Sequence, residues 1–330
     1  MGDVSTRLPG GYYLERDPDV LVLRRVDGSL VAAFSSRGAE PEAIRRAVEE
    51  TEHGEASNGH REAPALEVPA TAGPGLRANF FGRFELRWDG EVVSLGHNTR
   101  ARAILKYLLA RRARPVPQDY LMGWLWPESD LKRARWSLNS AVCALRKLLG
   151  DCLPSLPASE TVLFEGGRYR LSPRIVLSAD TDEFDSCCSE GHRLEKAGRA
   201  TEAIAEYEKA VELYRDDYLT EDLYEGWTMI ERERLLDAYT DLLGRLAVHD
   251  MEGGRLREGV RTCYRILEKD RCDEDTHRLL MECFVRLGQR PRALRQYRLC
   301  EEMLRNEYDA SPSPEIRALY ASILKDGDPR

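Results

Sequence analysis

The sequence predicts a mainly α-helical chain with small β parts. A small N-terminal ββα unit comes first, then a winged helix-turn-helix, then an all-α helical-repeat domain. Three observations carry this prediction. Residues 131–150 have the period of an amphipathic helix with one wholly basic polar face. The elements around that helix read as strands, three helices and a hairpin. From Ala179 onward the chain is helix after helix, punctuated by Gly-polar turns with similar surroundings.

In residues 131–150, Ala134, Leu138, Ala141, Val142, Leu145 and Leu149 fall on one helical face. The other face carries Lys132, Arg133, Arg135, Trp136, Asn139, Arg146 and Lys147 and no acidic residue. A solvated helix usually mixes both signs. A face of one sign that also offers an Asn and a Trp suits phosphates and base edges. Ser129 or Asp130 is placed to cap the helix. The competing reading is a solubilising surface, and the flanks weigh against it.

Upstream, residues 79–95 are β-rich around an Asp89-Gly90 turn, and residues 100–114 show an apolar stripe of Ala103, Ile104, Tyr107 and Leu108. Pro115 and Pro117 break the chain before a short helix over 118–126. Downstream, residues 161–171 form two β runs around Gly166-Gly167, a hairpin signal. This is the order of a winged helix, whose third helix enters the major groove while the hairpin touches flanking backbone. The stretch Phe81-Gly82-Arg83-Phe84-Glu85, the Leu95-Gly96 strand end, Leu121, Leu125-Trp126, residues 142–150 and Tyr169-Arg170-Leu171 resemble the OmpR-type winged helix of SARP-type transcriptional activators. The resemblance covers about residues 77–173. The chain departs from the pattern at Trp136, Cys143 and Ala144, where relatives often carry Arg, and at Arg168, where Gly is usual.

A length of 330 residues suits two or three domains, and the net charge of −8 is unevenly spread. Residues 1–75 hold 8 Lys+Arg and 13 Asp+Glu, residues 76–173 hold 16 and 9, and residues 174–330 hold 25 and 35. One basic module sits between two acidic ones, which supports nucleic-acid contact through the middle. The eight cysteines form no CxxC pair and have no His at metal spacing. They read as buried reduced thiols, with no metal and no cofactor. No secretory h-region and no run of ~18 apolar residues is present, so the expectation is a cytoplasmic protein without membrane spans.

Residues 1–50 read as the ββα unit, with strands over 20–25 and 29–34 around Asp27-Gly28 and a helix over 41–50. Some 40 residues are few for a free-standing core, so docking on another domain or pairing with a second copy is expected. Tyr12 and Tyr13 suit a core or a ligand platform equally, so an unknown ligand of this unit stays open. Its acidic balance also motivates a gating role. Residues 51–75 read as a flexible linker, residues 76–173 as the winged helix and residues 174–330 as the repeat domain.

In the repeat domain, Gly198, Gly254 and Gly288 open similar segments, each followed by Tyr207, Tyr264 or Tyr297, the second one residue later than the others. The last two glycines are 34 residues apart, the tetratricopeptide period; a longer helix over about 224–250 interrupts the array. Such helical pairs stack and leave a concave face for partners. Asp180-Thr-Asp-Glu-Phe184, Ala203, Ala210, Leu213-Tyr214, Trp227, Glu231-Arg-Glu-Arg234-Leu235, Ala293-Leu294 and Ser313-Pro-Glu315 resemble the bacterial transcriptional activation domain (BTAD) of SARP-type proteins. The two resemblances together span about 250 of the 330 residues. They imply a cytoplasmic activator that binds direct repeats near promoters and contacts RNA polymerase. No nucleotide-binding Gly-Lys motif follows the BTAD.

The candidate DNA-binding residues are Lys132, Arg133, Arg135, Trp136, Asn139, Arg146 and Lys147, with Arg168 and Arg170 from the hairpin. Arg133 and Arg135, near the helix start, suit guanine and Asn139 suits adenine. Arg146 and Lys147 suit phosphates. Trp136 suits stacking on sugar or a domain interface, and Arg170 suits backbone contact or a structural salt bridge. Arg100, Arg102, Arg111, Arg112 and Arg114 suit an approach to phosphate but read better as cover for the outer face, and Trp124 and Trp126 read as core. No Gly-x-Ser-x-Gly, P-loop or HExxH motif occurs, so no catalytic residue is expected and the chain does not read as an enzyme. The expected partner is double-stranded DNA. A homodimer is left open, and a helical-repeat adaptor with weak DNA binding is the alternative.

Overall fold

The structure, a computed structural model, describes residues 75–325 except 113 and 154, and four strands between residues 6 and 35. The chain divides into a unit of Met1–Thr71 and a unit of Ala72–Arg330. In the first unit, β1 (Thr6–Leu8), β2 (Tyr12–Arg16), β3 (Val20–Arg25) and β4 (Leu30–Ser35) form an antiparallel sheet in chain order. Leu14 stands opposite Leu23 and Val22 opposite Ala33, with a register irregularity at Leu23/Arg24. The sequence predicts only the last two strands. Tyr12-Tyr13-Leu14 has strong β propensity, and the sequence Pro9-Gly10-Gly11 ahead of it is a turn signal. The helix expected over 41–50 and the linker to residue 74 lie outside the described residues.

The second unit opens with β5 (Leu76–Asn79), β6 (Glu85–Trp88) and β7 (Glu91–Val92). Asp89 and Gly90 both take left-handed φ values of 47° and 84°, the signature of a tight hairpin turn that matches strand twist. Helix α1 (Thr99–Ala110) starts on Asn98, whose side chain accepts from the Ala101 amide. Then come β8 (Val116–Pro117), α2 (Gln118–Leu125), α3 (Leu131–Cys152), a one-turn α4 (Ala158–Thr161) and the hairpin β9 (Val162–Glu165) and β10 (Arg168–Leu171). The wing strands pair with β8 in the order β8-β10-β9. Periodicity misses β8, two residues long, and β11 (Leu177–Ala179), three residues long, both too short to show a period. β11 runs parallel to β5, so residues just past 173 complete the winged helix's own sheet.

The helical array follows as α5 (Asp180–Lys196), α6 (Ala200–Leu213), α7 (Gly226–Glu252), α8 (Leu256–Lys269), α9 (Glu274–Arg286), α10 (Arg290–Tyr308) and α11 (Pro314–Lys325). Gly198, Gly254 and Gly288 take φ of 74°, 76° and 71° at the turns inside the three pairs. Tyr207 and Tyr297 are buried, but Tyr264 is exposed and Cys263 takes the core position. The one-residue offset explains it: one residue turns the side chain about 100° off the packed face. Of the eight free cysteines, Cys188, Cys263, Cys283 and Cys300 are buried, whereas Cys143 is exposed on α3, against the expectation of buried thiols.

The winged helix and the array share one core. Phe80 stacks on Tyr218 with centroids 5.5 Å apart, and Phe81 meets Phe184 at 5.3 Å and Tyr214 at 4.7 Å. The Asp180 carboxylate, at the start of the array, accepts from the Phe80 amide at 2.8 Å and the Phe81 amide at 3.0 Å. The ion pairs across this seam have one polarity. Lys106, buried, meets Glu221 and lies 2.6 Å from Asp222; Arg112 is 2.6 Å from Asp182, Arg77 binds Glu183, and Arg83 is 3.3 Å from Glu221. Four cations of the basic segment thus serve the seam. Its positive balance is only partly free for a ligand, and Lys132, Arg133, Arg135, Lys147 and Arg168 on α3 and the wing are among the cations that make no ion pair within the described residues.

Candidate nucleic-acid interface

The placement of α3 begins with its cap. Asp130 accepts from the amides of Lys132 at 3.0 Å and Arg133 at 2.9 Å, satisfying two donors that the helix itself cannot. The predicted apolar face then seats fully: Ala134, Leu138, Ala141, Val142, Leu145 and Leu149 are all buried. With that face fixed, rotation about the helix axis is fixed too. Lys132, Arg133, Arg135, Trp136, Asn139 and Lys147 are left exposed, Trp136 at 73%. Between Asp130 and Asp151 the helix carries no carboxylate.

The wing is held against this helix. Gly166 and Gly167 turn the hairpin with φ of 55° and 75°, and the Gln118 amide donates to the Gly167 carbonyl at 2.9 Å. Arg146, expected on phosphate, spends its guanidinium inside the domain. Its Nε and one terminal nitrogen donate to the Val162 carbonyl at 2.9 and 2.6 Å, tying α3 to the start of β9. Arg170 donates to Glu165 across the hairpin at 3.1 Å, the structural salt bridge that was one of its two readings. Arg168 at the tip is exposed.

Between α3 and the wing lies a cleft of about 600 Å³, walled by Arg135, Asn139, Cys143, Phe164 and Tyr169. Tyr169 donates to the Asn139 carboxamide oxygen at 3.3 Å, which orients that side chain and leaves its NH₂ group for another acceptor. Burial raises the Tyr169 hydroxyl above the usual phenol range, with Arg146 and Arg135 pulling it back, so it remains a donor at neutral pH. Phe164, 45% exposed, packs on Tyr169 at 4.5 Å. Exposed Ser140 and Cys143 on α3 join this face. Helical projection from Asn139 would have found both, but their small uncharged side chains gave no signal of their own.

The remaining arginines and tryptophans sit elsewhere. Arg112 is bound at the seam and Arg111 lies over Tyr107 at 5.8 Å, while Arg100 lies 5.9 Å from the Trp126 ring. Trp124, half-buried, donates to Glu225 at 2.7 Å and meets Trp227 at 6.1 Å, so it is a seam residue more than a core one. Among the described residues there is no group of His, Cys, Asp and Glu able to hold a metal, and no helix long and apolar enough to cross a membrane.

Residues 179–324 match the bacterial transcriptional activator domain. The chain is 26% identical over 256 residues to the transcriptional regulatory protein MoaR1 of Mycobacterium tuberculosis, spanning 78% of this chain and 81% of that one. It is 25% identical over 272 residues to the transcriptional regulatory protein EmbR of Mycobacterium bovis, spanning 78% of this chain and 65% of EmbR. The solved structure of M. tuberculosis EmbR in complex with a low-affinity phosphopeptide superposes with a TM-score of 0.64 at 24% identity, covering 78% of this chain and 67% of that one. That likeness shows the same fold.

Proposed function

We propose that this chain, which resembles SARP-type transcriptional regulators in carrying a winged helix ahead of a bacterial transcriptional activator domain, binds duplex DNA sequence-specifically and regulates transcription from it in the bacterial cytoplasm. The observation that carries this reading is the outer face of α3. Lys132, Arg133, Arg135, Lys147 and the wing-tip Arg168 are exposed and make no ion pair within the described residues, and the helix has no carboxylate between Asp130 and Asp151. In this reading α3 lies in the major groove. Arg133 and Arg135 have the donor fork for guanine O6 and N7, and Asn139 the mixed donor and acceptor for adenine. Lys132 and Lys147 reach phosphates, and Arg168 meets the neighbouring backbone or minor groove. Arg146 acts by holding the wing at its angle to α3.

The array supplies the partner surface. A concave groove of about 750 Å³, walled by Tyr207, Asp237, Asp241, Arg245 and Leu279, favours protein contact there. RNA polymerase is the partner to which the resemblance points, with activation as the outcome and pairs of protomers on direct repeats. The rigid seam would fix the direction in which a DNA-bound protomer presents this groove. The test is capture of duplex fragments from a random pool and from the protein's own upstream region, by wild type and by an Arg133→Ala/Arg135→Ala/Asn139→Ala variant. Enrichment of one motif by wild type and its loss in the variant supports the reading. Equal enrichment by both, or none by wild type, refutes it and favours the adaptor.

A further inference from the structure

The repeat array carries an excess of acidic residues, yet one part of it is strongly basic. Residues 286–299 contain Arg286, Arg290, Arg292, Arg295 and Arg298 and no carboxylate. Two of these are used internally. Arg290 donates to the carbonyls of Ile323 and Leu324 at 2.9 and 3.0 Å, and Arg292 lies over the Phe284 ring at 4.1 Å. Arg295 and Arg298 are exposed and have no carboxylate partner among the described residues. They border a cleft of about 420 Å³ between α8, α9 and α10, with Tyr264, Phe284 and Leu299 as its apolar wall. Tyr264 and Leu299 are 40% and 41% exposed beside these arginines. Glu302 is the single carboxylate at its border.

We propose that this cleft is a docking site for an acidic protein segment that carries an aliphatic or aromatic side chain. Three features select that occupant. The unneutralised guanidiniums complement carboxylates, and in an otherwise acidic domain they concentrate attraction at one place. The apolar wall accepts a side chain, which a bare anion would leave unfilled. The cleft is concave and short, so it fits a peptide side chain and its neighbours better than the extended backbone of a duplex. It is also distinct from the concave groove of the array. α9 gives Asp275, Arg278 and Leu279 to that groove and Phe284 to this cleft, and at about 100° per residue Phe284 lies on the opposite side of the helix. The tyrosine displaced from the core by the one-residue offset is thus the cleft's aromatic wall.

The test uses the full chain and a fluorescein-labelled Glu-Glu-Leu-Glu-Glu-Tyr-Glu-Glu peptide, read by anisotropy. Wild type binds it, Arg295→Glu/Arg298→Glu weakens binding by about tenfold or more, and Arg295→Lys/Arg298→Lys keeps most of it. Tyr264→Ala weakens it several-fold, and the charge-reversed protein keeps its circular dichroism and its duplex-DNA retention. The proposal is overturned if wild type has no affinity for the peptide, or if charge reversal leaves that affinity unchanged. It is equally overturned if Arg133→Ala/Arg135→Ala abolishes peptide binding, which would place the peptide on α3. Loss of duplex binding with peptide affinity intact would make the cleft a nucleic-acid contact and overturn it as well.

Discussion

Replacing Lys106 with Met should uncouple the winged helix from the array. The Lys106 side chain is 7% exposed, and its ammonium meets Glu221 and sits 2.6 Å from Asp222. Removing one partner of a buried ion pair costs about 3–5 kcal/mol because the remaining charge is stranded. Here the carboxylates keep 31% and 23% of their exposure, and Glu221 retains Arg83 at 3.3 Å. Both facts soften the penalty, and about 2–3 kcal/mol is expected. Met fills the space of the lysine stem, so the loss is electrostatic and not a cavity. Adding Glu221→Gln and Asp222→Asn removes the stranded charges, and the triple variant should return to within about 1 kcal/mol of wild type. Urea unfolding reports both. Tryptophan fluorescence is well placed, because Trp124 and Trp227 lie 6.1 Å apart in the same seam. A single variant that loses less than about 0.5 kcal/mol, or a triple no better than the single, would refute the stranded-charge argument.

Gly191→Ala would bring a methyl within 2.6 Å of the Tyr207 ring, which is buried and bonded to Glu195 at 3.0 Å, so a loss of about 1–3 kcal/mol is expected in urea unfolding. Arg146→Ala should lower stability by about 1.5–3 kcal/mol and leave the salt dependence of DNA binding unchanged; a fall of about one unit in the salt slope without lost stability would make Arg146 a phosphate contact instead. Burial lifts the Asp180 carboxyl above its usual range, although the Phe80 and Phe81 amides pull it down. The native state therefore takes up this proton at higher pH than the unfolded chain. The stability of wild type relative to Asp180→Asn should rise as pH falls through the raised native value toward ~3.9, and unfolding at about pH 6.5 and about pH 4.5 checks the sign.

Period and turn chemistry are what the sequence encodes locally. α3 repeats its apolar positions over about four turns, and the Asp89-Gly90 and Gly166-Gly167 turns need left-handed backbone, so helix and hairpins are legible from local pattern alone. The seam is not. Asp180 to Phe80 and Lys106 to Asp222 join residues about a hundred positions apart, and no local pattern pairs them. The same blindness affects the site. Arg146 reads as one more cation on a basic face, and only the fold shows the Val162 carbonyl beneath it. Ser140 and Cys143 escape notice because a residue joins an exposed helix face by its direction, not by its charge. The N-terminal β2 shows a further limit: a tyrosine pair has no period of its own, and its strand is defined by pairing with β1 and β3.

The central claim is that the outer face of α3 occupies the major groove. Methylation interference on a captured duplex tests it directly, because dimethyl sulfate marks guanine N7 in the major groove and adenine N3 in the minor groove. The account predicts interference at N7 of a short run of adjacent guanines, relieved in position when Arg133 or Arg135 is replaced, with adenine N3 effects only at the flank facing Arg168. It also predicts that log affinity falls with log salt at a slope of at most about −4.5, the value if all five exposed cations meet phosphates. Interference confined to adenine N3, or tight retention indifferent to methylation at every guanine of a guanine-containing motif, would contradict it.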